Sequence, residues 1–150
     1  MELKTKIVAR YHELVQDRID AFRDMIAALT EDASNDAKGS AGDKHETALS
    51  MMHIEQEKLT HKLREFLDQK TVLDKIDANA AVSGVISLGS VVIANGMHLF
   101  VSAALPKITI DGITVIALSP QSPLGKELVG QTKGHRFSVG STSYLVENVF

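Results

Sequence analysis

The sequence predicts an α+β protein: an N-terminal antiparallel coiled-coil helical hairpin over residues 1–77, then an antiparallel sheet with one short helix over 78–150. Three observations carry this. Apolar residues recur seven apart through two long stretches, a glycine-containing stretch interrupts them once, and beyond Ala78 the pattern shifts to short apolar runs punctuated by Asn-Gly and Asp-Gly. The charges divide the same way. Residues 1–77 hold 12 of the 16 Lys and Arg and 16 of the 19 Asp and Glu, as expected of a solvated arm joined to a compact module.

In the first arm Val8, Val15, Phe22 and Leu29 fall seven apart, with Tyr11, Ile19, Met25 and Ile26 filling the same side. No glycine precedes Gly39 and no proline precedes Pro106, so nothing stops this helix before Ser34 to Gly39. The stretch from Lys38 to Glu46, Lys-Gly-Ser-Ala-Gly-Asp-Lys-His-Glu, forms the tip. The second arm resumes with Met52, Leu59, Phe66 and Leu73, supported by Leu49 and Leu63; Met51 and Met52 read as packing residues beside the tip. Two arms of about 30 residues, at ~1.5 Å per residue, make a structure on the order of 45 Å long. Pairing between two copies competes with this, but a sharp turn between arms of similar length favours closure within one chain, and so a monomer.

Residues 78–84, small and uncharged, read as a link. Ser90–Ala94 and Met97–Ala103 flank Asn95-Gly96, and Ile108–Ile110 and Ile113–Leu118 flank Asp111-Gly112, so two hairpins follow. Ser122 to Val129 begins with an N-cap serine and a proline at the first helical position, which predicts a short helix closed by Gly130. Two closing strands, His135–Val139 and Ser143–Val149, meet at Gly140-Ser141.

A formal charge of −3 and a pI near 6.0 argue against nucleic-acid binding through a basic face. The absence of cysteine excludes disulfides and thiolate zinc sites. A charged amphipathic N-terminus and no apolar run near the roughly 20 residues that span a bilayer predict a cytoplasmic protein. His45, His53 and His61 are eight apart, about 80° around a helix per step, and no His-x-x-x-His pair exists, so they read as polar-face residues.

The hairpin with Gly42-Asp43-Lys44-His45-Glu46 at its tip resembles the Gly-Asp-x-x-Glu tip of the bacterial Gre transcript-cleavage factors. A second stretch, Ser119-Pro120-Gln121-Ser122-Pro123-Leu124-Gly125-Lys126-Glu127-Leu128-Val129-Gly130, is similar to a segment of their C-terminal domains. The resemblance spans Leu3 to Phe150. It implies an FKBP-like C-terminal domain that docks on bacterial RNA polymerase at the rim of the secondary channel, with Ser119, Pro120, Ser122 and Pro123 as candidate partner-binding residues. It also implies that Asp43 and Glu46 help hold a catalytic Mg2+ shared with the polymerase, which then cleaves the RNA 3′ end of a backtracked complex. The factor would not itself be the enzyme.

The chemistry fits these residue types. Two-metal phosphodiester hydrolysis needs ions at the attacking and leaving oxygens, and magnesium prefers carboxylate oxygens and water. Two carboxylates cannot complete a magnesium site, so the polymerase and the RNA would supply the rest, and no metal would bind tightly to the isolated chain. Judged from the tip alone, a capping box is the stronger reading of Asp43 and Glu46. After Glu46 the chain continues Thr47-Ala48-Leu49-Ser50, where Gre factors carry Asn-Ala-x-Tyr. A channel-binding regulator without cleavage activity and a non-enzymatic coiled-coil adaptor therefore remain alternatives. Prolyl isomerase activity has thin support, since the module offers only Phe100, Phe137, Tyr144 and Phe150 to line a pocket.

Overall fold

The structure, a computed structural model, describes residues 2–38 and 43–150; the side chains of Glu2 and of residues 33–45 lie outside the description. Two long helices, α1 (Glu2–Lys38) and α2 (Asp43–Asp74), precede β1 (Val91–Ala94), β2 (Met97–Val101), β3 (Ile108–Ile110), β4 (Ile113–Leu118), α3 (Pro123–Leu128), β5 (Arg136–Val139) and β6 (Thr142–Val149). The class is α+β, with the expected order of elements.

Packing divides the chain elsewhere than the expected boundary at 77/78. Residues 1–12 with 71–150 form one compact unit and residues 13–70 the other. The reason is visible at the start of α1. Ile7 and Tyr11 are fully buried; the Tyr11 ring stacks on Phe100 of β2 with centroids 5.6 Å apart, and its hydroxyl donates to Pro106 O at 2.6 Å. The start of α1 is thus part of the sheet's core.

The six strands run in the order β3-β4-β2-β1-β6-β5. The sheet is mixed, which corrects the antiparallel sheet expected from sequence, because β2 and β4 pair in parallel. Each hairpin is as predicted: Asn95 and Gly96 have φ of 50° and 75°, Asp111 and Gly112 of 51° and 79°, the signs a type I′ turn requires. What differs is how the second hairpin lies. Residues 102–107 carry the chain past one strand width, so β3 takes the edge and β4 returns into the gap beside β2. Strand limits are also tighter than expected, with β1 starting at Val91 and β2 ending at Val101.

The sheet has two covered faces. Val92, Ala94, Leu99, Val101, Leu118 and Val146 pack with Ile86 and with Leu128 of α3 on one. Phe100 points to the other, where Tyr11 meets it, since residues adjacent on a strand alternate faces. Ile86 is tied in by its N–H to Gln131 O and by Gly130 N–H to its own carbonyl.

In the second unit α1 and α2 run antiparallel. Partner residues rise along one helix as they fall along the other: Phe22 meets Phe66 edge-on at 5.0 Å, and Gln56 Nε2 donates to Thr30 Oγ1 at 2.6 Å. Arg18 and Lys62 lie over the Phe66 ring at 5.6 and 5.5 Å. Burial falls along the stripe: Val15, Ile19 and Phe66 are buried, whereas Leu29, Met52 and Leu59 are half-buried. Met51, expected to pack, is 63% exposed.

Candidate functional site

Helix α2 opens at Asp43, so both tip acids lie in its first turn, where backbone N–H groups lack intrahelical partners. Glu46 is exposed. Residues 39–42 and the Asp43 carboxylate lie outside the described residues, as do the side chains of Lys44 and His45. Positions three apart on a helix share a side, so Glu46 and residue 43 are adjacent along one face of the turn.

What positions this turn is the packing farther along the pair. The Thr30–Gln56 bond links the helices on the tip side of Phe66, and Thr30 Oγ1 also donates to Ile26 O at 2.9 Å. On the outer face Lys62 Nζ reaches Glu65 at 2.9 Å, and this hydrogen bond holds the Glu65 carboxyl below its usual range. His53 and His61 are exposed, and among the described residues no group of three or more His, Asp or Glu could hold a metal ion.

The second candidate stretch is a closed turn. Ser119 Oγ donates to Gln121 Oε1 at 2.6 Å and accepts from Gln121 N at 3.1 Å. Ser122 Oγ donates to Ser119 O at 2.6 Å and, as N-cap of α3, accepts from Gly125 N at 3.0 Å. Pro123 sits at the first helical position, Leu124 packs on the core, and Leu128 is fully buried. Gly125 is required by space, since a Cβ there would lie 2.1 Å from Ser119 O. Both serine hydroxyls are therefore committed within the turn. Of Ser119, Pro120, Ser122 and Pro123, only Pro123 is exposed; beside it Lys126, Glu127 and the 40% exposed Val129 form the outer surface of α3.

Phe100, one of the four aromatic residues available to an isomerase pocket, is fully buried against Tyr11. Phe137 stacks between His135 and Tyr144, with centroid distances of 5.4 and 5.2 Å.

One buried polar group was not singled out from the sequence. Lys4 is only 8% exposed, and it lines a cavity of about 200 Å³ with Asp77 and the link residues. The signal was present, because Lys4 shares the helical stripe of Val8, Tyr11 and Val15.

No family model matches the chain, and no curated protein matches it. Among solved structures, the GreA factor homolog 1 of Thermus thermophilus aligns over 93% of this chain and 94% of its own, at 20% identity and a TM-score of 0.35. A likeness at that TM-score adds no weight to the reading of fold or site. Among the described residues no helix is long and apolar enough to cross a membrane.

Proposed function

We propose that the chain is a Gre-type transcription factor that binds bacterial RNA polymerase at the secondary channel and presents Asp43 and Glu46 to the polymerase active centre. The observation that carries this is the start of α2 at Asp43 with Glu46 exposed one turn in, on an antiparallel helix pair. The resemblance in sequence demands this arrangement of helices and acids. The two carboxylates would share a Mg2+ with the polymerase and the RNA phosphate, and the metal supplies charge neutralisation and an activated water for hydrolysis. The factor stimulates; the polymerase catalyses.

The turn at Ser119–Pro123 supports a change of emphasis for docking. Its serines hold α3 in place, so direct contacts fall to Pro123 and the exposed surface of α3. A second reading, a channel-binding regulator that does not provoke cleavage, is favoured by Thr47 and Ser50, both exposed where Gre factors carry an amide and an aromatic residue.

The test is RNA cleavage in a stalled, backtracked complex of the cognate polymerase, with the wild-type chain beside Asp43→Asn/Glu46→Gln. The expected result is cleavage with wild type alone and equal polymerase binding by both. Equal loss of binding in the double variant would refute the division between docking and chemistry. If neither protein provokes cleavage but both compete for the channel, the second reading replaces the first.

A further inference from the structure

The two edges of the sheet are not alike. Strands β3 and β5 are the outermost, and each pairs with one neighbour only. Gly140, with φ of 61°, and Ser141 form the two-residue loop between Val139 and Thr142, so Val139 and Thr142 exchange backbone hydrogen bonds and the ladder alternates from there. At the other end Val146 N donates to His135 O, which puts His135 in the same phase. Arg136 and Ser138 fall on the alternate positions, opposite Leu145 and Ser143. Leu145 N and Ser143 O are accordingly turned away from β5, to the Asn95 side chain at 3.1 and 2.8 Å. The N–H and C=O of both Arg136 and Ser138 therefore point out from the edge, and among the described residues no other segment bonds to them. By the same alternation β3 turns out only Thr109.

An edge with outward N–H and C=O groups at two exposed residues is a template for a further strand. The side chains decide which. Set antiparallel to itself about an axis through Phe137, β5 places Arg136 opposite Ser138 of a second copy and Ser138 opposite the second copy's Arg136, so the outward groups meet as two hydrogen-bonded pairs. Phe137 then lies opposite its own copy in the closer, non-hydrogen-bonded spacing, on the face where it already stacks on Tyr144 with centroids 5.2 Å apart. His135 lies opposite Val139. No like charges are directly opposed: the two arginines sit on a diagonal, roughly 7–8 Å apart, each across from a serine. In a single register β5 thus matches itself in backbone, aromatic and charged groups. We propose that β5 pairs antiparallel with β5 of a second copy, joining two six-stranded sheets edge to edge. A strand of four residues covers less than the ~1,200 Å² at which stable interfaces begin, so the association is weak, with a Kd on the order of 1 mM.

The experiment is an NMR dilution series of the full chain from about 2 mM to about 0.05 mM, following backbone amides, with Ser138→Pro, Ser138→Glu and Ser138→Arg beside the wild type. The expected result is that the Arg136 and Ser138 amides shift with concentration while that of Thr109 does not. Proline removes the outward N–H without touching the bonds to β6, so Ser138→Pro should weaken association by about tenfold while the β6 amides keep their dispersion. A glutamate at this position faces Arg136 of the second copy, and an arginine opposes it. Ser138→Glu should therefore tighten association by about fivefold and Ser138→Arg weaken it by about as much. These two variants keep the backbone donors, so the test stays decisive should Ser138→Pro fail to fold. Amides that do not respond to concentration overturn the proposal, as do shifts confined to residues 13–70, which would assign the pairing to the helices. Equal association by Ser138→Glu and Ser138→Arg overturns the register and the proposal with it.

Discussion

Gly125→Ala separates a spatial requirement from a helical preference, because the two predict opposite signs. Within α3 the exchange should favour the helix by about 1 kcal/mol on propensity alone. The new Cβ, however, would lie 2.1 Å from Ser119 O and 2.9 Å from Pro120 Cα. Both are backbone atoms, so no rotamer change relieves the overlap; the turn itself must open. Overpacking of this kind costs about 1–3 kcal/mol, and opening the turn also weakens the Ser122 N-cap, worth ~1 kcal/mol. With the propensity gain subtracted, the net loss is about 1–3 kcal/mol. At roughly 2–4 °C per kcal/mol for a chain of this size, Tm should fall by about 2–12 °C in a circular-dichroism melt. Ser122→Ala, which removes the cap without the overlap, should fall by only about 2–4 °C. An unchanged or raised Tm for Gly125→Ala would refute the reasoning, and the stretch would then owe its residues to partner contact rather than to its own closure.

Phe66→Ala should cost about 3–5 kcal/mol, since Phe66 is 4% exposed and meets Phe22, Arg18 and Lys62; hydrogen exchange should accelerate across residues 13–70 while the sheet amides keep their protection. Tyr11 is pushed up to about 12 by burial, against 10.0 for the ordinary phenol. A raised folded value means its stabilising share is complete below pH 10 and is lost as pH climbs from about 10 towards 12, on the order of 2 kcal/mol, so Tyr11→Phe should flatten the alkaline limb of a urea-stability profile. Lys6→Ala, which removes an exposed 2.6 Å pair with Asp111, should change stability by less than about 1 kcal/mol, and the difference should vanish in high salt.

Much of this fold was legible because its signals are local. Asn95-Gly96, Asp111-Gly112 and the Ser122-Pro123 cap each fix a few dihedral angles by residue chemistry alone, and each sits where expected. The parallel β2–β4 pair was not legible, since nothing in Ile113–Leu118 says which strand it will lie beside; that depends on how far residues 102–107 reach. Periodicity likewise marked Val8, Val15, Phe22 and Leu29 as one stripe but could not grade it. The first two are buried and the last two half-buried, because a pair of helices covers each stripe position from one side only. At the candidate site, spacing located Asp43 and Glu46 at the start of a helix; it also identified the Ser122 cap, but not the overlap that makes Gly125 obligatory.

The grading of the stripe bears on what the tip can do. Toward Asp43 and Glu46 the helix pair relies less on buried area and more on bonds such as the one from half-buried Gln56 to exposed Thr30. Such contacts are worth about 1 kcal/mol or less each, so the outer turns should open at lower free energy than the turns around Phe66. Thr30→Val removes the inter-helix hydrogen bond and keeps the shape of the side chain. It should raise exchange rates at Glu46 to Ser50 several-fold while leaving those around Phe66 unchanged. Equal acceleration at Phe66 would mean that the helix pair opens as one unit and would refute the graded opening.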